Sequence, residues 1–201
     1  MFSRIFSCFA AACVWVALTG LAQAQLPPAP ALNAKAWLLL DMTSGQVLAS
    51  QNPSERIEPA SLTKLMTAYL TFSALKAKSI TLEQNVPVSE KAWKTTGSRT
   101  FIEPKRPVTV AELIRGMIVQ SGNDACIALA ELISGSEGAF ADAMNREAKR
   151  LGMKATSFRN STGLPDAQHY TTAEDLSLLA TAIIRDFPDF YALNSLREYS
   201  A

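Results

Sequence analysis

Histidine is nearly missing from this chain of 201 residues, with His169 alone. Of its three cysteines, Cys8 and Cys13 fall in the first few residues, which leaves Cys126 by itself. One imidazole and one distant thiol cannot build a multi-His or Cys/His metal set, so neither a metal nor a cofactor is expected. The nine glycines form no Gly-rich phosphate loop of either common type. Neither sign of charge dominates, with 19 Lys+Arg against 18 Asp+Glu, so there is no broad attraction for nucleic acid or an anionic membrane surface. At 48% hydrophobic and 18% charged residues the chain has the makings of a packed core and not of a disordered tail.

Residues 1–24 are expected to be an export signal. Arg4 gives a short positive start, a mostly apolar run from Phe9 to Leu21 follows, and Ala22-Gln23-Ala24 has the small-x-small pattern of a signal-peptidase site. The apolar run is short for a transmembrane helix. No cysteine stands at the cleavage site for a lipid anchor, and the mature chain would begin at Gln25. Removing Arg4 leaves 18 basic against 18 acidic residues. With Cys126 alone there is no intramolecular disulfide, so an exported chain must rely on its core. Cys126 itself sits in an Ala/Leu/Ile pattern, where a buried, inert thiol is the expectation.

Residues 25–35 read as a proline-rich, extended leader, and residues 36–201 as one folded portion. Two short apolar runs, Ala36 to Leu40 and Gln46 to Ala49, flank a turn containing Gly45, which predicts a β-hairpin with a well-buried first strand. Leu62, Leu65, Met66, Tyr69 and Phe72 repeat near helical spacing, predicting one helix from 61 to about 77. Val110, Leu113, Ile114, Met117 and Ile118 make a second stripe, opened by a Thr109/Glu112 capping box. Ser121 to Asp124 interrupts it, and Cys126, Leu129, Ala130 and Ile133 start another helix. Residues 137–151 form a further helix closed by Gly152, and a last one runs through Leu176 to Ile184 until Pro188.

A serine nucleophile needs a base. His169 lies in a turn-rich stretch without a G-x-S-x-G elbow, so a structural role is expected of it. Lysine can replace histidine if held neutral. Ser61-Leu62-Thr63-Lys64 puts hydroxyl and amine at i and i+3 on one helical face, just where a helix begins after Pro59. The open helix end can also offer N–H groups to an oxyanion. Ser73-Ala74-Leu75-Lys76 has the same spacing but lies inside the helix, without free donors, and reads as helix surface. An ordinary lysine titrates near ~10.4 and must be brought down about three pH units, roughly 4 kcal/mol, within reach of burial plus a neighbouring cation. Ser121-Gly122-Asn123 stands at a break between helices, where a hydroxyl and an amide can point into a shared cleft, able to pass a proton to a leaving group and bind a substrate amide. The same triplet also suits a C-cap glycine followed by an Asn or Asp N-cap.

These two motifs, in this order, resemble the active-site serine penicillin-binding proteins, a group whose signature includes S-x-x-K. Leu40 to Leu48, Pro59 to Thr67, Gln120 to Ala125, and Gly163-Leu164-Pro165 through Ala173 are similar to segments of the low-molecular-mass D-alanyl-D-alanine carboxypeptidases. The resemblance implies a mixed α/β fold of the DD-peptidase/β-lactamase transpeptidase type, an antiparallel sheet flanked by helices, here incomplete and helix-rich. It implies Ser61 as nucleophile and Lys64 as general base. Ser121 would relay a proton, Asn123 would orient the peptide, and the Ser61 N–H would serve as an oxyanion donor. The substrate would be the D-Ala-D-Ala end of a peptidoglycan stem peptide, with β-lactams as inhibitors, in the bacterial periplasm or cell envelope. The family's third motif, K-T-G, does not follow Asn123, and Lys94-Thr95-Thr96-Gly97 precedes the second motif and reads K-T-T. The chain is therefore expected to be the N-terminal portion of such an enzyme. Membrane association would need a C-terminal segment that these residues do not include. A non-catalytic remnant of the same enzyme is the alternative. A class A β-lactamase fits less well, since residues 155–165 hold no glutamate for deacylation.

Overall fold

The computed structural model describes Ala29 and residues 31–196, so the export signal and much of the leader lie outside the described residues. Every helix and strand among the described residues belongs to the compact unit that begins at Asn33. Strands β1 (Trp37–Asp41) and β2 (Gln46–Gln51) form an antiparallel hairpin. The Asp41 carboxylate shapes its turn by accepting from Thr43 N at 2.9 Å and Ser44 Oγ at 2.7 Å. A bulge between Leu39 and Leu40 shifts the register. The first strand is not well buried, contrary to the expectation from its composition. Leu39 is 53% exposed, and Val47 and Leu48 on β2 are exposed as well. A strand is buried only by what covers it, and among the described helices the one that packs on β1 leaves the other side bare.

Seven helices follow the hairpin among the described residues. A 3₁₀ turn, Ala60–Thr63, leads into α1 (Lys64–Lys76). Then come α2 (Glu90–Trp93), α3 (Val110–Gln120), α4 (Asn123–Ser134), α5 (Glu137–Leu151), α6 (Ala173–Asp186) and α7 (Pro188–Tyr191). The helix predicted from residue 61 thus begins as a tighter turn. Pro188 does not only end α6 but opens α7 at a first-turn position, where its missing N–H costs nothing. The capping box of α3 is present: Thr109 Oγ1 accepts from Glu112 N, and Glu112 Oε2 accepts from Thr109 N at 2.7 Å.

Helix α4 is the axis of the core. Its residues from Asn123 to Ala130 are all buried, and α1, α2, α3 and α5 pack around it. From Ala125 to Ala130 it is apolar on every side, and such a stretch belongs inside. Helix α1 is also buried on two sides, but asymmetrically. Met66, Tyr69 and Phe72 face the core, where Phe72 stacks on Phe190 at 4.8 Å and meets Phe187 at 5.8 Å. Its polar side, with Thr63, Lys64, Thr67 and Thr71, is buried too, against residues 160–163. That segment belongs to a loop closed at its base by a bridge between Ser157 and Tyr170, next to one between Ile57 and Thr171.

The loop reaches α1 at Gly163. A Cβ there would lie 1.8 Å from the Ala60 carbonyl oxygen, and the residue sits at φ +86°. Both facts demand glycine. Gly163→Ala is expected to lower stability by more than ~2 kcal/mol, read as a fall in the urea midpoint at unchanged slope; a neutral result would mean the loop is not pressed onto Ala60.

Candidate active site

Ser61 lies in the 3₁₀ turn immediately before α1, exposed, while Lys64 one turn on is only 7% exposed. The tight turn brings the two together, with Lys64 Nζ donating to Ser61 Oγ at 3.2 Å. Ser121 arrives from the other side, its Oγ donating to Ser61 Oγ at 3.1 Å. Ser61 Oγ therefore sits between an amine and a second hydroxyl, the geometry of a nucleophile with a base and a proton relay.

Lys64 Nζ has a second acceptor, the Thr162 carbonyl, at 2.7 Å. Burial lowers the Lys64 pKa below its ordinary 10.5. No neighbouring cation contributes; burial is what brings the value down, and only an ionised Cys126 would oppose it. Cys126 is fully buried, and burial pushes its thiol up to about 12, which keeps it neutral and inert as expected. When Lys64 is neutral, one N–H stays on the Thr162 carbonyl and the lone pair is left for the Ser61 proton.

Ser121 is held at φ 56°, ψ 36°, a left-handed conformation uncommon for serine, where it caps α3. The capping alternative places glycine at that position. Instead the glycine is Gly122, the N-cap of α4, where a Cβ would lie 2.9 Å from the Thr100 methyl and 3.0 Å from Asp124 Oδ1. Glycine is needed for close packing at 122, so serine takes the left-handed turn. This aims its hydroxyl at Ser61 and stores a little strain beside it.

Asn123, predicted to share the cleft, is 5% exposed, and its side-chain amide donates to the Thr96 carbonyl at 2.7 Å. Its backbone N–H donates to Ser98 O at 2.7 Å. The bonds it makes are thus to the 96–98 segment and not to Ser61. That segment includes the end of the K-T-T-G stretch, whose Lys94 pairs with Glu90 at 3.2 Å and leaves the site to the backbone of Thr96 and Ser98. Ser73 and Lys76 lie on α1 away from this cluster, Lys76 Nζ reaching Asp186 O at 3.3 Å.

Sequence reasoning missed the 160–163 segment as part of the site. Thr67 Oγ1 donates to Ser161 O at 2.7 Å, alongside the Lys64 bond to Thr162 O. Asn160 Oδ1 accepts from Thr162 N, Thr162 Oγ1 and Gly163 N, at 3.1, 3.0 and 2.7 Å. Its available signal was the polar stripe of α1, Thr63, Lys64, Thr67 and Thr71, at helical spacing beside the apolar one. A hollow of about 730 Å³ between the hairpin and α6 shares no residue with the Ser61 cluster. A smaller one of about 140 Å³ touches Ser61, Lys64 and Ser121 and is floored by Leu65, Met117 and Ile118.

His169 is structural, as expected, with both ring nitrogens engaged. Nδ1 accepts from Arg159 N at 3.2 Å, so Nε2 carries the proton and donates to Thr63 Oγ1 at 2.8 Å. Burial lowers its pKa below 6.5, and Asp166 opposes this only in part. The unfolded chain would take up the proton near 6.5 while the folded chain resists it to lower pH, so stability is full above that value and declines as pH falls below it. Urea midpoints measured from pH 7.5 down to 5 are expected to fall, and His169→Gln to flatten that slope; an equal slope in the variant would assign the dependence elsewhere.

A family model described as D-alanyl-D-alanine carboxypeptidase matches residues 22–200. The Escherichia coli D-alanyl-D-alanine carboxypeptidase DacC is 44% identical over 188 residues, covering 90% of this chain and 47% of the relative. Bacillus subtilis DacF is 43% identical over 153 residues, covering 76% of this chain and 39% of the relative. The chain thus spans about half the length, or less, of these curated relatives. Among solved structures, penicillin binding protein 5 from Haemophilus influenzae superposes with a TM-score of 0.85 at 39% identity, over 87% of this chain and 52% of that one. The carboxypeptidase DacD from Francisella tularensis gives 0.80 at 44%, over 87% and 43%.

Proposed function

The chain belongs to the D-alanyl-D-alanine carboxypeptidase family, and on that footing we propose that its chemistry is serine acyl transfer on the D-Ala-D-Ala end of peptidoglycan stem peptides. Residues 36–201 fall within the transpeptidase-like catalytic domain, and residues 1–24 direct it out of the cytoplasm to the periplasm. Among the described residues no helix is long and apolar enough to cross a membrane.

The observation that carries this reading is the Ser61 Oγ held at 3.2 Å from Lys64 Nζ and 3.1 Å from Ser121 Oγ. Neutral Lys64 takes the Ser61 proton as Oγ attacks the carbonyl carbon of the penultimate D-Ala. The Ser61 N–H receives the developing oxyanion. Ser121 passes the proton from Lys64 to the nitrogen of the departing D-Ala. Asn123, fixed by Thr96 and Ser98, steers the peptide through its amide oxygen. Water then cleaves the ester, with Lys64 again taking the proton. A β-lactam enters the same reaction at the first step; a relative, penicillin-binding protein D2 from Listeria monocytogenes, is solved in an ampicillin-bound form.

Intact mass after incubation with benzylpenicillin tests the reading. One drug adduct is expected on the chain and on Ser73→Ala, and none on Ser61→Ala. A folded chain that takes no drug would favour the non-catalytic alternative. The pH dependence follows from Lys64, which must be neutral to act. The acylation rate is expected to rise with pH along a limb that lies below the ordinary lysine value of 10.5. Lys64→Met should remove that limb and lower the rate on the order of a thousandfold.

A further inference from the structure

Glu137 opens α5, is 7% exposed, and has no role in the acyl-transfer steps. A carboxylate this deep is expensive to bury unless it is fully bonded. It is: Oε1 accepts from Ser161 N at 3.0 Å and from Ser161 Oγ at 2.7 Å, while Oε2 meets Lys91 Nζ at 2.7 Å. Burial pushes its pKa up, but Lys91 and the Ser161 donors outweigh it, so the group titrates below an ordinary glutamate and is ionised at neutral pH.

Ser161 is the residue before Thr162, whose carbonyl holds Lys64 Nζ at 2.7 Å. Ser161's own carbonyl accepts from Thr67 Oγ1 at 2.7 Å. Two successive carbonyls therefore dock on positions 64 and 67 of α1, three residues apart on one face. Asn160 folds the loop locally, but it belongs to the loop itself. Glu137 belongs to a separate helix and anchors the loop to the α5 end of the core.

Resting on the acyl-transfer reading, we propose that Glu137 is a positioning residue for the reaction: by clamping both donors of Ser161 it fixes the Thr162 carbonyl, and through it the lone pair of Lys64 on Ser61. The carboxylate acts through a bond path and not as a counter-ion. Lys91 neutralises it on its far side, and burial, not the charge of Glu137, is what shifts Lys64. Lys91 is more than half exposed and free to swing away, so a glutamine at 137 can keep its carbonyl on Ser161 without a trapped clash.

The experiment pairs Glu137→Ala with Glu137→Gln and reads two quantities in the intact chain: the second-order rate of acylation by benzylpenicillin, and the Lys64 titration by NMR of ¹³Cε-labelled lysine. Glu137→Ala is expected to slow acylation about 10- to 100-fold, whereas Glu137→Gln stays within about threefold of the parent, since misplacing a base by about 1 Å costs on that order. Opening the loop admits water, so Lys64 in Glu137→Ala should titrate higher, nearer 10.5, and in Glu137→Gln stay where it is. A folded Glu137→Ala chain with parental rate and titration overturns the proposal. So does a Glu137→Gln chain as impaired as Glu137→Ala, which would make the charge the active element. If Glu137→Ala does not fold, Ser161→Ala, which removes only the Oγ bond, is expected to slow acylation by about three- to tenfold, and no slowing overturns the proposal. A parent chain that takes no drug counts against the acyl-transfer reading alone, and the Lys64 titration still decides the role of Glu137.

Discussion

Burial of Lys64 is the constraint to which the rest of the structure is fitted. An ammonium that is 7% exposed has given up most of its water, and that loss makes its proton easier to release. The surroundings favour that release. Its bonded partners are a carbonyl oxygen and a hydroxyl, both neutral. The thiol behind it stays protonated because it is buried as well. A carboxylate in contact would have kept the lysine charged and useless as a base. One buried carboxylate of this region, Glu137, is one residue removed from that carbonyl and capped by Lys91, so it holds the loop without holding the proton.

The buried lysine explains the two-sided burial of α1. A surface helix needs one apolar stripe. This helix has one, through Met66, Tyr69 and Phe72, and a second, polar stripe covered by residues 160–163. Covering it requires every hydroxyl on that side to find a partner. Thr63 meets His169, Thr67 meets Ser161, and Thr71 turns back to the Thr67 carbonyl at 2.8 Å. The neutral imidazole of His169 belongs to the same solution, since a charged ring could not accept from Arg159 N.

Much of this was legible in the residues, and what was not has a common cause. Local rules located the Thr109/Glu112 box, the Gly152 end of α5 and the start of the nucleophile segment after Pro59, because each is decided within one turn of chain. The Ser61/Lys64 spacing was legible for the same reason. Burial of β1 was misjudged because it depends on elements far away in sequence. The loop at 160–163 was invisible as a site component because it contributes carbonyls, which every residue has. Only the glycine it needs at 163 and the unusual polar stripe at 63, 64, 67 and 71 hinted at it.

Three departures from local preference crowd around one oxygen atom: Ala60 at φ 45°, Ser121 at φ 56°, and a lysine under the surface. None would be chosen for stability, since positive φ at a residue with a Cβ costs on the order of 1 kcal/mol. Each has a geometric result. The turn at Ala60 presents Ser61 ahead of α1 while its carbonyl takes the approach of Gly163. The turn at Ser121 ends α3 with a hydroxyl directed at Ser61. Relaxing either would leave the helices intact and separate the three groups. Departures of this kind persist only where surrounding structure over-determines them. Here that structure is α4, buried from Asn123 to Ala130, on one side and the loop held to α5 by Glu137 and to Thr63 by His169 on the other. The strain and the buried base are therefore one device, in which core packing holds a hydroxyl, an amine and a second hydroxyl closer than their local chain would leave them.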